Sequence, residues 1–472
     1  MPFRWILVLG LVGFTQAGWP AEPVPKRPYP PLWPDSRFND DFSALGNPEY
    51  QPVEPRDFWD PVKWIALDAE RGIHLSIGGE ARLAYEMISN ASFGAGPQDD
   101  GRYLMHRYLL HADLRLTPAA RVFAQLQSSL LEGRRGGPRP TDRDELDLHQ
   151  AFAEWTPWRE DGFQAGLRVG RQELNYGSSR ILTFREGPNN RLSFEAAKVM
   201  LSGQGWLLDA FAGRPLETDA RAFDNQALET QSIWGLYSVL DVPALPSWQA
   251  DLYFLGYDRD PARFNEGAGG ETRYSWGTRL HGRKSGWDWN FEGLYQFGDY
   301  GGGTISAWTL ASDTGHTWTD APGRPRLGLK ANIASGDEER GDGDLGTFNA
   351  LYPRGAYFGE IGLIGPANFI NLHPSLTLQP ARGWRLHSDV VFFWRESTED
   401  GVYGPGGNLI RPAGTSRARY VGTQVDFSAS WQVDPHWSVS VEYGHFFTGS
   451  FLRETGPAED VDFVQVKSTY RF

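Results

Sequence analysis

The sequence predicts an all-β fold, a transmembrane antiparallel β-barrel of about 18 strands of the bacterial outer-membrane type. Three observations lead there: a glycine- and aromatic-rich composition, apolar and polar residues alternating with period two, and a last strand ending on an aromatic. Glycine contributes 55 of 472 residues and Phe, Tyr and Trp together 14%. Aromatic side chains suit a pleated surface and glycines suit turns and bends. The apolar fraction is 40% and the mean hydropathy −0.46. Past the N-terminus no run approaches the roughly 18 apolar residues of a spanning helix, which excludes a helical bundle in lipid.

The alternation is clearest from Ile73 to Met87. Ile73, Leu75, Ile77, Ala81, Leu83, Tyr85 and Met87 share one face, and His74, Ser76, Glu80, Arg82 and Glu86 share the other. It returns at Trp287, Trp289, Phe291, Tyr295 and Phe297, and again at Trp437, Val439, Val441 and Tyr443. Turn-forming clusters separate the segments: Gly136-Gly-Pro, Asp258 to Gly270, and Gly404-Pro-Gly-Gly-Asn408. A soluble sandwich or propeller alternates too. Here, however, Trp and Tyr fall near segment ends and ionisable residues repeat on the polar face, which is the pattern of lipid outside, aromatic girdles and a wet lumen. About 400 residues from Ile73, at roughly 10 per strand plus connections, allow about 16 to 20 strands, and a barrel that wide leaves an aqueous channel.

Three segments follow. Residues 1–17 read as a secretory signal peptide: Arg4, an apolar core from Trp5 to Phe14, then Thr15-Gln16-Ala17. Residues 18–72 form a Pro-rich periplasmic lead-in, whose prolines cannot supply a regular backbone ladder. Residues 73–472 form the barrel. Val464, Val466, Tyr470 and Phe472 alternate with polar residues at the end, resembling the signal that outer-membrane assembly machinery reads.

Lysine and arginine number 45 against 59 acidic residues, a formal charge of −14. Nucleic acid is excluded as a partner, because phosphate contact needs a basic face. Cysteine is absent, and with it disulfides and thiolate chemistry. No G-x-S-x-G, H-E-x-x-H or P-loop occurs, so no enzyme is expected. Gly341-Asp-Gly-Asp-Leu-Gly346 matches G-x-G-x-x-G but lacks a framing parallel strand and helix, and reads as a turn. No cofactor is expected. Asp337, Asp342 and Asp344 are weak Ca²⁺ candidates without EF-hand spacing. Arg134, Arg135, Arg139 and Arg143 fall in a loop that could meet lipopolysaccharide phosphates.

Several stretches carry a family resemblance: Asp57-Phe-Trp-Asp-Pro-Val-Lys-Trp-Ile65, Gly78-Gly-Glu-Ala-Arg82, Ala151-Phe-Ala-Glu-Trp155 and Arg168-Val-Gly-Arg-Gln-Glu-Leu174. Tyr176-Gly-Ser-Ser-Arg180, Arg185-Glu-Gly-Pro-Asn-Asn-Arg191 and Leu345 to Arg354 join them. With these the chain resembles the alginate export family of outer-membrane porins. The resemblance implies a monomeric barrel, in outer-membrane lipid and lipopolysaccharide, whose arginine-lined constriction passes an anionic polysaccharide or oligosaccharide. Family exporters carry an arginine two residues past the Gly-Arg-Gln arginine and another on the preceding strand, where this chain holds Glu173 and His149.

The channel-lining candidates are Glu80, Arg82, Arg107, Arg171, Glu173, Arg180, Arg185, Arg191, Arg273 and Arg279. Arg82, Arg107, Arg171 and Arg180 are the first choices at the constriction, and Arg107, Arg273 and Arg279 form a candidate basic cluster for carboxylates. Strict alternation through Leu167 and Val169 puts Arg171 and Glu173 on the lipid face. A bulge at Gly170, or exit of the strand into the headgroup region, is therefore expected. A mixed-charge lumen leaves open a porin that takes up small solutes. A lumen sealed by the Pro-rich lead-in would favour a barrel enzyme or surface scaffold.

Overall fold

The structure is a computed structural model that describes residues 33–46, 57–96, 101–160 and 162–472; residues 1–17, read above as a signal peptide, lie outside them. Eighteen antiparallel strands form the closed barrel, and two short strands extend its sheet, Gln226–Ala227 and, contrary to the expectation that the lead-in supplies no ladder, Ile65–Asp68, which pairs with residues 73–75. In chain order the eighteen are β1 (Ile73–Ser89), β2 (Arg102–Thr117), β3 (Ala120–Glu132), β4 (Asp144–Glu160), β5 (Phe163–Gln172) and β6 (Phe194–Gly203). Then come β7 (Trp206–Glu217), β8 (Gln231–Asp241), β9 (Trp248–Phe264), β10 (Gly267–Lys284), β11 (Trp287–Tyr300) and β12 (Gly303–Thr317). The last six are β13 (Arg326–Ala334), β14 (Phe369–Leu378), β15 (Trp384–Trp394), β16 (Tyr420–Gln432), β17 (Trp437–Thr448) and β18 (Val461–Arg471). Each pairs with its sequence neighbours, and β1 closes on β18, with Glu80 opposite Arg471 and Ser89 opposite Asp462. Closure removes the exposed edge that lipid could not satisfy.

Alternation decides which side chains meet lipid. On β1 the even positions from His74 to Ala84 are buried, while Leu83 and Tyr85 are exposed. Trp287, Trp384, Trp431, Trp437 and Tyr470 lie exposed at one end of their strands, with Trp384 and Trp431 stacked at 5.4 Å. That row is an aromatic girdle, and its end carries short turns such as 118–119 and 204–205. Short turns mark the periplasmic side, and the long connections 173–193, 335–368 and 395–419 mark the external side. No helix among the described residues is long and apolar enough to cross a membrane.

Two local expectations change. The cluster Asp258 to Gly270 is not an open loop: β9 and β10 run through it, turning only at Asn265-Glu266, and a register shift between Arg259 and Ala262 absorbs the extra residues. At Gly170 the backbone takes φ +128°, but pairing stays in step on both sides, Arg171 lying opposite Ala151 and Glu195. There is no bulge there. The irregularity lies on the neighbouring strand, where Gln125 and Leu126 pair with Gln150 and Leu148 and His149 is squeezed inward. Arg171 stays on the face of exposed Val169, at the external end of β5. Asp147 and Glu195, each at 3.0 Å, and the carbonyl of Asn225 in the external loop hold it there. Glu173 turns inward because the strand stops at Gln172.

The lumen is furnished by connections rather than left open. Loop 173–193 enters from the external side, stitched down by Leu174, Ile181 and Leu182, which share an apolar cluster with Phe194, Phe211, Phe348 and Tyr352. Loop 335–368 lies against it through main-chain bonds, Thr183 N to Tyr352 O at 3.0 Å and Tyr352 N to Ile181 O at 2.9 Å. From the periplasmic side, residues 33–46 of the lead-in reach lumen-facing side chains of β1 to β5.

Candidate functional site

Loop 173–193 sets its polar residues against β1 and β2 because its apolar residues are consumed by the cluster behind it. Glu186, near its tip, is the hub. It pairs with Arg107, with Arg82 at 3.5 Å and with Arg191 at 3.1 Å. Arg107 also grips Glu80 at 2.6 Å, and Glu80 holds Arg471 across the seam at 2.8 Å. Arg191 meets Glu173 at 3.2 Å, and His149 Nε2 lies 2.9 Å from the same carboxylate oxygen. Burial works to raise the Glu186 carboxyl, but Arg107 and Arg191 outweigh it and hold it down at about 2. Glu173 is likewise kept below its ordinary value by Arg191 and His149 despite its burial. Glu80, Arg82, Arg107, Glu173 and Arg191 therefore belong to one ionic network, in which every arginine has a carboxylate partner.

The remaining candidates lie elsewhere in the lumen. Arg180 pairs with Glu292 at 2.8 Å and stacks on the ring of Tyr357. Arg273 pairs with Glu271 at 2.6 Å, Arg279 with Asp251 at 2.7 Å. Arg107, Arg273 and Arg279 thus do not form one basic cluster, since each is neutralised by its own acid. Arg171 sits outside the network, on the outward face described above.

Arg185 is different. Its backbone lies at φ +56°, its guanidinium rests 5.5 Å from the centre of the Tyr352 ring, and it is half-buried. Among the described residues no carboxylate pairs with it, and burial alone lowers its proton affinity.

A tyrosine stack lines the wall from β7 to β9. Phe211, Tyr176, Tyr237 and Tyr253 follow one another at 5.2, 4.8 and 5.1 Å. Tyr176 donates to Asp209, Tyr237 to Asp251 and Tyr253 to Glu292, and each acid also holds a base, Lys198, Arg279 or Arg180. The wall is a ladder of satisfied polar groups with no net sign.

Glu186, Arg471 and the acids facing Arg273 and Arg279 were missing from the candidates. Glu186 stands next to Arg185 in the sequence, but only the inward fold of the loop reveals it as the hub. The Gly341 to Gly346 stretch is a turn whose Gly341 and Gly343 N–H groups bind the carboxylate of Glu266 at 2.9 to 3.2 Å. Asp337 accepts from Gly346, and Asp344 accepts from Thr304. Among the described residues no three His or acidic side chains converge as a metal site. Arg134 is spent on Asp142 at 3.0 Å and on the ring of Tyr103.

A closed 18-strand barrel with an aromatic girdle and an ionic lumen is an outer-membrane channel. The model of the alginate export family matches residues 73–465, and the chain belongs to that family. No curated protein matches it. Among solved structures it is similar to Pseudomonas aeruginosa OpdK with vanillate, at 13% identity and TM-score 0.57, covering 84% of this chain and 98% of that one. It is similar also to P. aeruginosa OccK8 (OprE), 12% identical, TM-score 0.56, with the same coverage. The third is P. aeruginosa OpdO, 12% identical, TM-score 0.55, covering 84% and 97%. These likenesses establish the fold. The protein is a channel rather than an enzyme, and it resides in the bacterial outer membrane.

Proposed function

We propose that the channel passes a carboxylated saccharide, an anionic polysaccharide or oligosaccharide of the alginate kind. The observation that carries this reading is Arg185, a half-buried lumen cation that faces an aromatic ring and no acid. Guanidinium binds carboxylate through paired, charge-assisted hydrogen bonds, and the buried Tyr352 ring holds the guanidinium from behind without neutralising it. The ion-paired network below narrows the lumen without imposing a strong field, so chain-like cargo slides rather than sticks. The chain is proposed to act as a monomer, assembled through the strand that ends at Phe472 and seated among lipopolysaccharide and outer-membrane lipid.

The neutralised arginines favour a second reading, uptake of small carboxylated solutes, and the OpdK structure holds vanillate. Planar-bilayer recordings separate the two. Oligouronates block or modulate the current under the first reading, while only small aromatic or aliphatic carboxylates do so under the second. A cation-selective current indifferent to oligouronate overturns the first.

A further inference from the structure

The lead-in does more than precede the barrel. Residues 33–42 lie against the lumen wall formed by β1 to β5 and β18. Phe38 is wedged against Phe152 and Phe123 at 5.7 and 6.3 Å, with the Arg168 guanidinium 4.3 Å from its ring centre and its carbonyl bound by Arg121 at 2.8 Å. Arg37 donates to Gly79 O and Phe472 O, both at 2.8 Å. The tip of the segment touches the loop descending from the other side: Ser36 Oγ donates to Glu173 at 2.7 Å, and Arg191 donates to the carbonyl of Asp35 at 2.7 Å. Burial first, and then the Glu186 carboxylate, push the Asp35 carboxyl above its ordinary value, with Arg471, Arg191 and Arg354 opposing them. An element from the periplasm and one from outside thus meet in the middle of the lumen, on residues of the ionic network.

We propose that residues 33–42 are a displaceable inner gate, held in the resting channel by the Arg37 clasp, by Phe38 and by the contacts of Asp35 and Ser36, and released when a carboxylate from the cargo takes Arg191. This deepens the saccharide reading and rests on it for the identity of the releasing ligand. At Arg191 the exchange replaces the neutral Asp35 carbonyl on Nη2 with an ionised acceptor, while Nε stays on Glu173 and Glu186. The gate can leave without the lead-in coming off. A second stretch is moored separately, with Trp59 stacked on Phe472 at 4.0 Å and donating to Tyr470 at 2.8 Å, Asp57 bound to His436 at 2.7 Å, and Lys63 donating to Ile77 O at 2.7 Å.

The chain has no cysteine, so a reversible tether tests the gate. Trp33 Nε1 donates to Pro435 O at 2.8 Å, outside the ionic network. Trp33→Cys with Pro435→Cys, bridged by a short bis-thiosulfonate linker and confirmed by mass, fixes the segment in place. Single-channel conductance of the full chain is then recorded before and after dithiothreitol. The gate predicts that the spontaneous openings of the reduced form fall at least about tenfold in the bridged form and return on reduction. Equal currents in the two forms overturn it. Phe38→Ala, which removes the wedge, should raise resting current in an otherwise unaltered chain, and an unchanged current counts against the gate. Tetrauronate added to the reduced channel separates the two readings. A working tether with no response to tetrauronate keeps the gate and discards the saccharide as its key.

Discussion

His149 Nε2 and the Glu173 carboxylate stand 2.9 Å apart, and Arg191 reaches the same oxygen at 3.2 Å. These are the two positions where family exporters are expected to carry arginine. This chain holds there an imidazole and a carboxylate, and the carboxylate engages the neighbouring Arg191. Glu173→Gln keeps the shape and removes one negative charge, leaving Arg191 with Glu186 alone. The lumen becomes more anion-selective, by roughly twofold in the permeability ratio for a screened interaction of about 0.5 kcal/mol. Reversal potentials across a KCl gradient measure it, and a shift toward cations contradicts the assignment.

Arg185 has no acid to release, so its removal costs the cargo and little else. Arg185→Ala should leave the barrel folded and its salt conductance close to that of the parent. The apparent constant for oligouronate block should rise roughly 10- to 100-fold, the worth of a charge-assisted hydrogen bond of about 1.5–3 kcal/mol. Arg185→Lys should recover only part of it, since an ammonium lacks the planar fork. Equal block in parent and Ala variant would remove Arg185 from the path.

How much of this was legible in the sequence follows from what periodicity encodes. The faces of β1 could be read because Leu83 and Tyr85 alternate with Glu80 and Arg82, and lipid leaves no freedom about which side is apolar. Partners could not be read. Arg107 pairs with Glu80 because of inter-strand register, and with Glu186 because loop 173–193 folds inward. Neither is a property of local spacing. Gly170 shows the same limit. A glycine with positive φ was recognisable as a place of altered backbone, but whether the register slips is decided by the neighbouring strand, and there the slip occurs at His149. The Gly-Asp-Gly turn could be recognised as a turn, whereas Glu266 as its anion could not.

Arg37 binds the two carbonyls that close the barrel, Gly79 O on β1 and Phe472 O at the end of β18, and pairs with Asp40 at 2.9 Å. Gly79 is required in this arrangement: a Cβ there would come within 2.7 Å of the Phe472 ring. Arg37→Ala leaves Asp40 buried without its partner, a loss of roughly 3–5 kcal/mol for a broken buried pair. The expected outcome is a lower temperature for the shift from folded to unfolded mobility on SDS gels. Gly79→Ala should lower it as well, because the added Cβ meets both the Leu109 carbonyl and the Phe472 ring at 2.7 Å. Unaltered heat-modifiability in both variants would show that the seam does not depend on the clasp.

The external loops carry a pH dependence that can be given a sign. Asp337, on inward loop 335–368, is buried beside Asp400, whose carboxylate accepts its N–H at 3.0 Å, with Glu266 and Asp342 also in range. Burial comes first, and the neighbouring acids add to it, so the Asp337 carboxyl is raised from its ordinary 3.8 to about 7. The docked loop therefore keeps a proton that the undocked loop gives up. Its contribution to docking is complete below about pH 4 and is lost as pH rises through about 7. Amides around residues 335–349 should be better protected from hydrogen exchange at pH 5 than at pH 8, after correction for intrinsic rates. Asp337→Asn, which mimics the protonated group, should flatten the dependence and hold the loop docked at pH 8. Protection that grows with pH, or a variant that keeps the parent's slope, would place the titrating group elsewhere.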